Sequence, residues 1–278
     1  MTTVLLICLK LSVVALLLAI GMLSTKKEVT YLWQRPKLLF RSLLAMYVLV
    51  PLAAIVFVSF LPLAGGLKLA IFVLAISAGA PLLPKKLMGL GSDEYVLSLV
   101  VTASVLAIFT VPAWSAVLGP LFGRESHLAP IEVVMVITKS FLLPLLIGMF
   151  IRKVLPNHAE SFADKILTVA GLVLTVSAVV LLATHWQLLV KAGWPALLAL
   201  ASLTLISLLI GHLMGGQEPG ERTALAVSCA TRHLGLAILV AAAVPGPKTA
   251  VFIAAYMVAS AIVVIPYLKW QSKVNAVL

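Results

Sequence analysis

Runs of about twenty apolar residues recur along almost the whole chain, and they leave few folds open. A run of that length matches the hydrocarbon core of a bilayer when it is helical. Nine such spans can be drawn, at about 3–23, 39–62, 67–90, 94–119, 131–151, 165–184, 189–214, 222–244 and 249–269. Short connections rich in Pro and Gly separate them, among them Gly119-Pro120, Gly215-Gly216, Pro219-Gly220 and Pro245-Gly246-Pro247. With 10% charged residues and a mean hydropathy of +1.19, the chain reads as all-α integral membrane. No room is left for a soluble domain. The net charge of +11 is therefore a property of loops rather than a nucleic-acid footprint. Residues 3–23 lack a basic leader and are interrupted by Lys10, so they read as a retained helix, not a signal peptide.

Basic residues set the expected orientation. One side carries thirteen of them: Lys26, Lys27, Arg35, Lys37, Arg41, Lys85, Lys86, Arg152, Lys153, Lys165, Arg222, Lys269 and Lys273. The other carries four, Lys68, Arg124, Lys191 and Lys248. That bias puts the N-terminus outside and the C-terminus in the cytoplasm, and a compact chain of this kind suits a bacterial inner membrane. Trp33, Trp186, Trp194 and Trp270 fall at span ends, as an aromatic belt requires. Cys8 and Cys229 sit inside apolar spans without metal-ligand spacing, so neither a disulfide nor a metal site is expected.

Two spans look broken. The third contains Gly79-Ala80-Pro81-Leu82-Leu83-Pro84-Lys85-Lys86, and two prolines three residues apart disrupt a helix. The eighth carries Ser228-Cys229-Ala230-Thr231-Arg232-His233-Leu234-Gly235 near its middle. A guanidinium at that depth costs roughly 2.5–3.5 kcal/mol by insertion scales unless protein or water solvates it. No Asp or Glu lies mid-span to neutralise it. Spans three and eight run in opposite directions, as do one and six, two and seven, and four and nine, while span five has no mate. This is the order of an inverted repeat with two discontinuous crossing helices and one helix missing from its first half. Ile20-Gly21-Met22 and Ile147-Gly148-Met149 share a string but run the same way, which reads as coincidence.

The stretch from Ala224 through Arg232-His233 to Ala237 resembles the second crossing helix of the bile acid:sodium symporter family. Span three, followed by Glu94-Tyr95-Val96-Leu97-Ser98 and Thr102, resembles the first crossing helix and its successor. The resemblance implies a panel domain, about 1–62 and part of 131–214. It also implies a core domain, about 67–119 and 131–151 with parts of 165–184 and 222–269. Alternating access and organic-anion substrates are implied as well. The departures are informative. The family's sodium ligands in the second crossing helix, a Glu, a Gln and an Asn, correspond here to Ser228, Arg232 and His233. The Asn of the first falls at Lys85 or Lys86. Hard cations need oxygen ligands, and Lys and Arg offer none. The expectation is a transporter of a small organic anion without sodium coupling, in which Arg232 and Lys85 supply the positive field.

The expected substrate-binding set is Arg232, His233, Ser228, Thr231, Lys85, Lys86, Lys139, Ser98 and Thr102. The helix crossing is assigned to Gly79, Pro81, Pro84 and Gly235. Each has a plainer alternative. Arg232 could bond carbonyls freed by the broken third span, Lys85, Lys86 and Lys10 could snorkel, and the hydroxyls could bond back to their own helices. Lys139, mid-span, suggests a cavity. Ser228 and Arg232, four apart, would share a helix face that Gly235 extends. A sodium- or proton-coupled organic-anion symporter is the alternative, with His233 as the carrier in the proton case. An intramembrane enzyme built on Ser228 or Cys229 with His233 is the remote reading, because no orienting acid accompanies the pair. No cofactor and no metal are expected; the partners are the anion and the lipid bilayer.

Overall fold

The computed structural model describes residues 2–78, 93–118, 134–135, 138–234, 236–237 and 248–275, and their regular structure is helical. In chain order these are α1 (Thr2–Leu23), α2 (Lys26–Tyr31), α3 (Pro36–Phe60), α4 (Gly65–Ile76) and α5 (Asp93–Leu118). Then come α6 (Leu143–Val154), α7 (Pro156–Thr184), α8 (Trp186–Met214), α9 (Pro219–Ala230) and α10 (Lys248–Asn275). Among the described residues, five stretches are long and apolar enough to cross a membrane: Pro36–Phe60, Glu94–Trp114, Pro156–Thr184, Trp186–Met214 and Thr249–Val274. Their outer faces carry exposed Leu, Val, Ile and Phe, such as Phe109, Leu172 and Ile262, as a lipid-facing surface requires.

Span three ends as a helix at Ile76, where Ser77 leaves helical geometry (φ −87°, ψ 68°). The eighth ends at Ala230, with Thr231 extended. This corrects one expectation. Arg232 lies beyond the end of α9, so it does not share a helical face with Ser228. Gly79, Pro81, Pro84, Lys85, Lys86 and Gly235 lie outside the described residues.

Among the described residues, two π-turns interrupt the long helices, Ala45–Leu49 within α3 and Thr138–Leu142 just before α6. Each is followed by a proline, Pro51 or Pro144, one residue inside the next helical turn. A proline has no N–H for the carbonyl four residues back, and its ring pushes that carbonyl away. For Pro51 that carbonyl belongs to Tyr47, and the indole Nε1–H of Trp114 donates to it at 2.9 Å. The wider turn is thus satisfied by a side chain from α5, the kind of partner that irregular backbone at depth requires.

Helix α1 packs against α6 and α7, while α8 packs against α9 and α10, and α4 against α3 and α10. At the α1–α6 crossing the backbones touch. A Cβ on Gly21 would stand 2.1 Å from the carbonyl oxygen of Leu145, and one on Gly148 would stand 2.1 Å from that of Leu18. The contact is reciprocal, each glycine seated against the residue three before the other. The shared Ile-Gly-Met strings are therefore not a coincidence: they are the two halves of one close helix crossing.

Candidate functional site

The ends of α4 and α9 meet. The backbone N–H of His233 donates to the carbonyl of Ser77 at 3.0 Å, joining the two interrupted segments directly. The last carbonyl of α9, Ala230 O, accepts the hydroxyl of Tyr256 from α10. Two helix C-termini thus have carbonyls answered by groups outside their own helices, which resolves the usual terminal deficit. The negative ends of both helix dipoles converge on this region, and a cation is favoured there.

Arg232 is that cation. It is 3% exposed, and neither Nη1 nor Nη2 has a hydrogen-bond partner among the described residues. The ion pairs among the described residues, Lys27–Glu94, Arg35–Glu221 and Arg152–Glu160, do not include it. Among the described residues, the titratable groups that feel its charge are Tyr47, Tyr256 and Cys229. Tyr47 comes from the π-turn of α3, and its hydroxyl donates to Ala103 O of α5 at 3.0 Å. The helix ends account for the sign of the residue. They do not account for two guanidinium nitrogens facing no acceptor.

His233 starts the next helical segment. Its carbonyl accepts from Ala237 N at 2.9 Å, and its Nδ1 accepts the N–H of Leu236 at 3.2 Å, as an N-cap side chain does. That assignment fixes the tautomer. With Nδ1 as acceptor the ring proton sits on Nε2, which is buried without a partner. Phe141, from the second π-turn, packs its ring 4.5 Å from the imidazole centroid. Thr102 adds another buried, unpartnered oxygen on α5, one residue from the carbonyl that Tyr47 holds.

The remaining sequence-expected residues divide. Ser228 and Thr231 are buried and give their hydroxyl protons to Ala224 O and Val227 O, each at 2.7 Å, one turn back. Ser228 shares no bond with His233, whose Nδ1 is held by Leu236, so the Ser–His pairing that a hydrolase needs is not made. Ser98 is drawn elsewhere: its hydroxyl accepts from Leu32 N at 3.0 Å and donates to Val29 O at 3.2 Å, pinning the end of α2. Lys139 is exposed, and its neighbour Phe141 is the residue that reaches His233.

Sequence reasoning missed Tyr47, Tyr256, Phe141 and Ser77. A signal was present for the tyrosines. Membrane tyrosines favour the interfaces, whereas Tyr47 and Tyr256 lie well inside their spans, where a hydroxyl must find a partner.

Residues 10–192 match the family model described as the Sodium Bile acid symporter family. The chain belongs to that family. No curated protein matches it. Sodium bile acid symporter family membership makes it a membrane transporter in class. The matched stretch covers α4, α5 and both π-turns, and it stops just before Gly193. The segment carrying Ser228, Thr231, Arg232 and His233 lies beyond it.

Proposed function

We propose that the chain is a secondary transporter that moves a small organic anion by alternating access and draws on a fixed cation rather than a sodium ion. One observation carries the reading: Arg232 is buried where two interrupted helices end, with both terminal nitrogens unpaired. In carriers with broken helices, such C-terminal ends and unwound carbonyls coordinate sodium. Here a guanidinium occupies that electrostatic position. It also retains donors, and a buried donor without an acceptor costs about 1–3 kcal/mol or more when charged. An arriving anion removes that cost, so the site binds anions selectively without a co-ion. Lys85 completes the positive field in this reading, with Lys86 as its alternative.

The local chemistry supports sodium independence. Sodium needs several oxygen ligands. The hydroxyls of Ser228 and Thr231 are turned to their own helix. Proton coupling through His233 is disfavoured by geometry: protonating Nδ1 would set a donor against the N–H of Leu236 and break the cap. The packing of α1 on α6 and α7 supports a panel made of these three helices, with α4, α5, α9 and α10 in the core.

The test is a thermal-shift screen of small carboxylates and sulfonates on purified protein in sodium-free buffer. Several of these anions should stabilise the wild type and leave Arg232→Gln unmoved. Stabilisation of equal size in both proteins would overturn the assignment of Arg232 to the anion.

A further inference from the structure

A second cluster of unpaired cations lies apart from Arg232. A cavity of about 360 Å³ is lined by Arg41 of α3, His212 and Leu213 at the end of α8, the loop residues Gly215, Gly216 and Gln217, and Arg222 in the first turn of α9. Neither arginine takes part in an ion pair among the described residues. The nearest acid in sequence, Glu221, is engaged by other residues. Its Oε1 accepts from Arg35 Nη1 at 3.0 Å and from the Tyr31 hydroxyl at 3.4 Å. The loop is built to hold this arrangement. A Cβ on Gly215 would stand 2.5 Å from Arg222 Cα, and one on Gly216 would stand 1.9 Å from Glu221 Oε2. Both glycines therefore let the loop close on α9, with Arg222 lining the cavity and Glu221 engaged by Arg35.

His212 is set as a third donor. Tyr267 lies with its oxygen 2.8 Å from His212 Nδ1, and the same oxygen accepts from Gln271 Nε2 at 3.3 Å. Gln271 uses an N–H, so the phenol proton can go to His212 Nδ1, and in that tautomer the ring proton sits on Nε2. Trp270 packs 6.0 Å from the imidazole and is half exposed, as an interfacial tryptophan is. This is the end of α10 that carries Lys269 and Lys273, so the pocket stands at the basic rim of the helices.

We propose that this pocket binds a phosphate group, held by Arg41 and Arg222 with His212 as the third donor. Guanidinium forks match phosphate oxygens in charge and geometry. Donors that arrive from three separate elements suit a tetrahedral anion, whose oxygens point apart, better than a planar carboxylate. The phosphate can come from an anionic lipid headgroup or from a soluble phosphate, and occupancy would tie α3, α8 and α9 together at one rim. The site is independent of the anion held by Arg232.

Native mass spectrometry and thermal unfolding of the detergent-solubilised full chain test this. The probes are short-chain phosphatidylglycerol, short-chain phosphatidylcholine and inorganic phosphate. Phosphatidylglycerol should bind and raise the melting temperature, and Arg41→Gln and Arg222→Gln should each weaken it about tenfold, the loss of one charge-assisted contact. Arg232→Met should leave it unchanged, which separates this site from the transport site. If phosphate alone reproduces the shift and the same two variants abolish it, the site stands and its ligand is soluble. If phosphatidylcholine binds as well as phosphatidylglycerol, or if both arginine variants retain wild-type affinity, the proposal is overturned. Should either glutamine variant fold poorly, Arg222→Lys and Arg41→Lys keep the charge and lose the fork, and an intermediate affinity is then required.

Discussion

Arg232→Met separates two roles for the buried guanidinium by the sign of a stability change. Methionine fills a similar volume and carries no charge. In the ligand-free protein, Arg232 is 3% exposed with two nitrogens lacking acceptors, so its removal abolishes a desolvation penalty of several kcal/mol. The converging ends of α4 and α9 offset part of this, about 0.3–1 kcal/mol each. The net expectation is a gain of about 1–3 kcal/mol, or roughly 2–6 °C in melting temperature for a chain of this size. Anion binding and flux should be lost in the same variant. Thermal unfolding of the purified protein without organic anions reads the first, and proteoliposome uptake reads the second. If Arg232 instead holds the helix ends together, its loss should destabilise the protein by about 3–5 kcal/mol. A fall in melting temperature of that size would refute the account of an unpaired, waiting cation.

Other expectations follow from the backbone. Gly148→Ala places a Cβ against the Leu18 carbonyl and should cost about 1–3 kcal/mol, measurable by chemical denaturation, with Gly21→Ala costing a similar amount. Gly193, at φ 67° and ψ −175°, occupies a region open almost only to glycine, so Gly193→Ala should lower stability by about 1–3 kcal/mol where α8 bends. Trp114→Phe strips the indole from Tyr47 O and should cost about 1–2 kcal/mol. Part of that should return in the Trp114→Phe, Pro51→Ala double variant, since alanine restores an N–H to the same carbonyl. A double-mutant cycle without coupling would count against the π-turn argument.

Much of the site could be read before any coordinates were in hand, and the reason is physical. A charge or a run of polar residues at bilayer depth stands out because so little else there is polar. That is why Arg232, His233 and the ends of the two broken spans were legible. What could not be read depended on distant chain segments. Tyr256 answers Ala230 O from the last helix, Tyr47 reaches Ala103 O of α5 from a π-turn, and Ser77 meets His233 across 156 positions. The Ser228–Arg232 face failed because it assumed that the helix continued past Ala230, when Thr231 is already extended. The repeated Ile-Gly-Met string was visible but misread. Its meaning required the knowledge that α1 and α6 touch.

The claim that a side-chain cation does the work of sodium is tested most directly by anion uptake into proteoliposomes with sodium replaced by choline. The account predicts the same initial rate in both salts, with uptake lost in Arg232→Met. Uptake that vanishes in choline and returns with sodium would contradict it.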